Sequence, residues 1–90
     1  MSVATKLIEG VFDPEDAAEI VIALIDNKLK FHMLKAFSTA ERDGLACEHS
    51  KTRIAALNEA KQEILEAIAA AKNKNCKLKI ASTLNIELDD

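Results

Sequence analysis

Tryptophan and tyrosine are absent from this chain, phenylalanine occurs three times, proline once, and glycine and cysteine twice each. Without Trp or Tyr there is no stacking platform for nucleic-acid bases and no aromatic wall for a sugar or a cofactor. Clustered basic charge is also scarce: the formal net charge is −3, which disfavours general binding to nucleic acid or acidic membrane, where phosphate neutralisation needs grouped Lys and Arg. The longest continuous apolar run, Ile20 to Ile25, is far short of the roughly 20 residues that span a bilayer. The start, Met1-Ser2-Val3-Ala4-Thr5-Lys6, lacks a basic segment followed by an apolar run, so no secretory leader is expected. With Cys47 and Cys76 as its only cysteines, the chain is expected to carry free thiols in the cytoplasm.

What remains is ordinary for a single globular domain: 90 residues, 49% apolar and 30% charged, near the lower end of comfortable domain size. The stretch from Asp13 to Gly44 dominates it and reads as a helix of about eight turns. Asp13-Pro14-Glu15-Asp16 supplies an N-cap side chain, a proline at the first helical position and acids against the positive helix end. No glycine follows until Gly44, where a left-handed stop fits. Ser38-Thr39-Ala40-Glu41 has capping-box spacing and offers an alternative start after a kink near Phe37.

At about 100° per residue this helix carries two apolar stripes. Ala18, Ile22, Ile25, Leu29, Met33, Ala36 and Ala40 share one face, with His32 at its margin. Ile20, Ala23, Leu24, Phe31 and Leu34 fall on nearly the opposite face. A helix that needs one neighbour shows one stripe, so two opposed stripes require two neighbours.

Gly44 to His49 is expected to connect antiparallel helices. The second helix, over about 49–74, shows a single stripe of Ile54, Leu57, Ala60, Ile64, Ala67, Ile68 and Ala71, with Glu59, Glu63 and Glu66 on the far side and Lys72 and Lys74 in the last turn. It pairs with the first helix and needs nothing more. The period then changes. From about 77 to 88 the apolar residues Leu78, Ile80, Leu84, Ile86 and Leu88 fall on even positions, the alternation of a half-buried strand. Ser82-Thr83 lacks the positive-φ residues of a tight hairpin, so one long strand is expected. Residues 2–12 are open between a short strand broken at Gly10 and a turn of helix; Phe12 is placed to clamp on Ala17 or Ala18 as a loose staple.

The ends of a helical hairpin emerge side by side, and a lone strand leaves its backbone groups unsatisfied. The C-terminal strand must therefore pair with residues 3–8, with itself or with another chain. These features predict an α+β fold, mostly α: a long antiparallel helical hairpin, over about 14–43 and about 49–74, with a C-terminal strand, dimerising into a four-helix arrangement.

For function, the stripe Ile20, Leu24, Phe31 and Leu34 is the candidate self-association surface, because so short a chain has little left to cover it. Intramolecular cover by the terminal strands is the competing explanation. Lys72, Lys74, Lys77 and Lys79 form a basic cluster that a nucleic-acid-associated regulator would use, but no arginine or aromatic accompanies it, and helix-dipole complement and edge protection explain it without a ligand. Cys47-Glu48-His49 suggests a zinc half-site, but Cys76 lies at the other end of the hairpin and His32 more than two turns away. Cys47 with His49 lacks an orienting third group for nucleophilic catalysis. His32, flanked by Phe31 and Met33, is expected to be a partly buried histidine bonded to a neighbour, with a pH-sensitive position at an interface as the sharper alternative. No metal, cofactor, small-molecule substrate or catalytic constellation is expected. The expected function is that of a non-enzymatic cytosolic interaction or scaffold protein acting as a homodimer.

Overall fold

The computed structural model describes residues 1–39 and 44–89, with backbone alone for 38–39 and 44–47. Strand β1 (Ser2–Phe12) leads into a helical rod made of α1 (Pro14–Ala17), a π-helical turn (Ala18–Ile22) and α2 (Ala23–Thr39). Helix α3 (Gly44–Lys74) returns, and β2 (Leu78–Glu87) closes the chain. The architecture is α+β and mostly helical, with a two-stranded antiparallel sheet of β1 and β2.

The rod starts where the Asp-Pro pair indicates, with Asp13 extended at φ −65°, ψ 153° and Pro14 at the first helical position. The cap differs in kind from the expected one. The Asp13 side chain makes no capping hydrogen bond; its carbonyl accepts from the Ala17 N–H at 2.9 Å, and its carboxylate lies 3.9 Å from the Lys77 ammonium.

The π turn changes which residues face α3. Ala17, Val21, Ile25 and Leu29 recur every fourth residue, a spacing that drifts about 40° per step around a regular α-helix. A wider turn takes up an extra residue and resets that drift. Ala17 and Leu29 are buried and Val21 and Ile25 half-buried, so Ala17 and Val21, which uniform helical spacing left off the inner face, belong to it. Further along, His32 is buried at 8% exposure while Met33 is 51% exposed. The expected order of those neighbours is reversed, because the buried line passes from Leu29 through His32 to Ala36. Ala40 lies outside the described residues, as do 41–43 and much of the alternative start at Ser38-Thr39-Ala40-Glu41.

Helix α3 begins at Gly44, about one turn before the expected start. Leu45-Ala46-Cys47-Glu48 contains no helix breaker, and glycine is accepted at a helix start as well as beyond an end. Gly44 therefore opens a helix instead of stopping one. The stripe of α3 meets the rod as expected: Ser50, Ile68 and Ala71 are buried and Ile54, Leu57, Ala60 and Ile64 half-buried, with Ala67 exposed. Lys61 ties the helices together through the Asp26 carboxylate at 2.7 Å.

Asn75 ends α3 in the left-handed region at φ 54°. The Cys76 N–H donates to the Ala71 carbonyl at 3.0 Å and the Asn75 N–H to the Lys72 carbonyl at 3.2 Å, the paired bonds of a Schellman turn. Asparagine tolerates this conformation better than other residues with a Cβ. The turn sends β2 back along β1. Ser2 pairs with Glu87 and Phe12 with Leu78, and one irregularity between Lys6 and Ile8 leaves Leu7 as a bulge. β1 is thus longer than the short strand expected and runs through Gly10, whose φ of 156° is one that residues with a side chain rarely adopt. The Phe12 ring lies over Gly10, 3.4 Å from where a Cβ would stand.

The result is extended and thin. Its dimensions are 49 × 33 × 15 Å and its radius of gyration is 16.1 Å, against about 12 Å for a compact domain of this length. The shortest dimension is little more than one helix diameter, about 10–12 Å. The buried apolar side chains among the described residues are Ala17, Leu29, Ile68 and Ala71. The molecular surface is 7069 Å², where a compact monomer of this mass exposes about 5,200 Å².

Replacing Asn75 by Val puts a β-branched residue in the left-handed region and is expected to lower unfolding stability by about 1–2 kcal/mol. Asn75→Gly is expected to leave stability unchanged or raise it; urea denaturation of both variants checks this.

Candidate functional site

The β1–β2 ribbon has one apolar face and one polar face. On the apolar face of β2 lie Leu78, Ile80, Ser82, Leu84 and Ile86, and the register sets Phe12, Gly10, Ile8, Thr5 and Val3 opposite them. The Leu7 bulge makes this continuity hold: β1 contributes odd-numbered residues before the bulge, Val3 and Thr5, and even-numbered ones after it, Ile8, Gly10 and Phe12. The half nearest the helices is partly covered, with Ile8, Phe12, Leu78 and Ile80 half-buried. The far half is open, and Val3, Leu84, Ile86 and Leu88 are exposed.

Between the covered half and the hairpin runs an apolar cleft of about 520 Å³. Ala17, Val21, Leu24 and Ile25 form one wall, and Ile64 and Ile68 of α3 the floor. The ribbon contributes Leu78 to Ser82 of β2 but only Ile8 of β1, so the cleft runs along β2.

The expected interface residues are exposed to different degrees: Ile20 36%, Leu24 43%, Phe31 54% and Leu34 60%. The terminal strands do not cover them. Nor do all of them border one depression. Leu24 borders the cleft, whereas Leu34 borders a shallower hollow with Leu29, Met33 and Lys61. The Phe31 ring has the Lys28 and Lys35 ammonium groups at 5.6 and 5.8 Å from its centre, so its face is partly occupied by cations.

The basic cluster is exposed and mixed with acids. Lys72 and Lys77 share an open cleft with Asp13 and Glu15, which lowers the positive potential there. Lys74 lies in the last turn of α3 and Lys79 on the polar face of β2. Glu59, Glu63 and Glu66 are exposed on α3.

His32 is buried against α3 with neither ring nitrogen hydrogen-bonded, and the edge of its ring meets Phe31 at a centroid distance of 5.2 Å. Burial disfavours the charged imidazolium, and Lys28, Arg53, Lys35 and His49 add positive charge from both helices, so its pKa lies below the usual 6.5. Among the described residues no three His, Cys, Asp or Glu side chains gather into a metal-binding group. The Cys47 side chain, and with it the Cys-Glu-His pair, lies outside the described residues; Cys76 is an exposed free thiol. Among the described residues no helix is long and apolar enough to cross a membrane. Compared with family models, curated proteins and solved structures, the chain matches none.

Two parts of this surface escaped sequence reasoning. Val21 was hidden by the π turn, which no breaker residue announces. The open far half of the ribbon was half legible: the even-numbered alternation of β2 marked its apolar face, but how far the helices would reach along it was not written there.

The lowered His32 pKa has a signed consequence. Below pH 6.5 the unfolded chain binds a proton that the folded chain resists, so His32 contributes stability that falls as pH drops from 6.5 toward its folded pKa. Changing His32 to Leu is expected to raise the Tm and to flatten its dependence on pH below 6.5, as followed by circular dichroism.

Proposed function

We propose that this protein is a non-enzymatic interaction or scaffold module of the cytoplasm whose working unit is a homodimer. The observation that carries this reading is the surplus of surface. The chain exposes about 1,900 Å² more than a compact monomer of its mass. Much of it is aliphatic side chain on the outer face of the rod and the far half of the ribbon. Isolated apolar residues on a surface are ordinary, but extended apolar faces on a thin body are what association sites look like. Burying that surplus on each of two copies falls within the 2,000–5,000 Å² or so typical of obligate dimers. A twofold arrangement would also set the two hairpins together as four helices.

A nucleic-acid-associated role for Lys72, Lys74, Lys77 and Lys79 ranks second, because the acids beside them weaken the field that phosphate binding needs. Binding to duplex DNA at low salt, lost on changing Lys77 and Lys79 to Glu, would promote it.

Analytical ultracentrifugation of the full chain is expected to give a concentration-dependent mass near twice 9.8 kDa. Leu24→Glu or Phe31→Glu is expected to weaken association by about tenfold or more, because each replaces an apolar contact with a charge that association must desolvate. A wild-type chain that stays monomeric at high concentration would remove the proposal.

A further inference from the structure

The sheet has two strands, so each has an unpaired outer edge, an arrangement that solitary proteins disrupt with bulges, prolines or charges. β1 carries such devices: the Leu7 bulge, Gly10, and a Lys6–Glu9 ion pair of 3.0 Å. β2 contains no bulge, glycine or proline over its ten residues, and its only charges, Lys79 and Glu87, are of opposite sign near its two ends. The Leu88 N–H donates to the Met1 carbonyl at 3.4 Å, so by antiparallel alternation even-numbered residues of β2 bond toward β1. The backbone groups of the odd-numbered residues 79, 81, 83, 85 and 87 face the open edge.

The sequence along that edge is complementary to its own reverse. Around Thr83 it has lysines on one side, at 77 and 79, and acids at the mirrored positions 89 and 87. The apolar residues Leu78 and Ile80 mirror Leu88 and Ile86. We propose that two copies pair antiparallel through the β2 edges about a twofold axis at Thr83, making a four-stranded sheet with β2 strands at its centre. This rests on the homodimer reading and specifies its interface.

In that register Lys79 faces Glu87 of the second copy and Lys77 faces Asp89, each twice by symmetry. On the other face Leu78 meets Leu88 and Ile80 meets Ile86. Shifting the register by one residue turns the two apolar faces to opposite sides. Symmetric registers centred on Ser82 or Leu84 keep the faces but match Lys77 with Glu87, or Lys79 with Asp89, one opposite-charge type instead of two. The pairing also answers where the exposed half of the ribbon goes. Because the strands run in opposite directions, Leu84, Ile86 and Leu88 of one copy come to lie beside Ser82, Ile80 and Leu78 of the other, where the apolar cleft runs along β2. The uncovered end of each ribbon thereby reaches the helices of its neighbour, with Leu24 on the receiving wall.

Lys79 and Glu87 are exposed, have uncharged β1 partners in Val11 and Ser2, and make no ion pair within the chain among the described residues. Charge reversal there therefore tests the interface without disturbing the ribbon. Lys79→Glu alone and Glu87→Lys alone each place like charges opposite one another twice, and each is expected to weaken self-association about tenfold. An equimolar mixture of the two variants restores opposite charges at both sites and is expected to regain wild-type association, a rescue that misfolded chains cannot give. Independently, Thr83→Cys in a Cys47→Ser, Cys76→Ser background is expected to cross-link into a covalent dimer with a short bis-maleimide, since directly opposed residues have Cα atoms about 5.5 Å apart. A dimeric wild type with no cross-linking at position 83, or with a mixture no tighter than its components, would overturn the strand pairing and leave self-association standing. A monomeric wild type would overturn both.

Discussion

Burial of apolar surface needs a layer on each side, and this chain folds into little more than one layer. That shortage governs the rest of the structure. A helical hairpin can hide only the seam between its two helices, here made of Ala17, Ile25, Leu29, Ile54, Ile64, Ile68 and Ala71. Alanines on that seam allow close approach of the helices but bury little area per residue. The ribbon adds a second element, yet it meets the hairpin only along its root. A body 15 Å thick thus keeps apolar side chains in view on the outer face of the rod and along the far half of the ribbon.

Local devices in the chain align these surfaces instead of hiding them. The π turn holds Ala17 and Val21 in line with Ile25 and Leu29, so the rod presents a straight seam over a length where regular helical geometry would wind it away. The Leu7 bulge plays the same part in the ribbon, shifting β1 by one residue so that Val3 and Ile8 share a face. The Schellman turn at Asn75 aims β2 back beside β1. Each device serves register, and an aligned apolar face is useful only if something comes to meet it. In the proposed dimer, a second copy would meet these faces through charge and apolar pattern already present in the chain. The buried, unbonded His32 works against the hairpin as acidity increases, because protonation places a further positive charge among Lys28, Lys35, Arg53 and His49.

Several features were legible from residue order alone. Asp13-Pro14 marked the start of the rod, the apolar stripe of α3 marked its inner face, and the alternation from Leu78 to Leu88 marked a strand. These are signals of local backbone geometry, and period and capping chemistry encode them directly. The opposed stripe of Ile20, Leu24, Phe31 and Leu34 was legible as well, as residues the rod itself does not bury.

Other features were decided by contacts between distant segments. Uniform periodicity gave Met33 the place that His32 occupies, because both stand one turn on from Leu29, on either side of its line, and only packing against α3 decides between them. Gly44 carried the sign of a helix end and became a helix start, since glycine serves at either and only the neighbouring chain decides which. Residues 2–12 were undecided between strand and helix until β2 offered a facing partner for each of them but the bulge. Periodicity and caps, being properties of neighbours in sequence, were set by the sequence itself. Which faces meet, and how far the helices reach along the ribbon, depends on the fit of segments some seventy residues apart, and only the folded arrangement decides it.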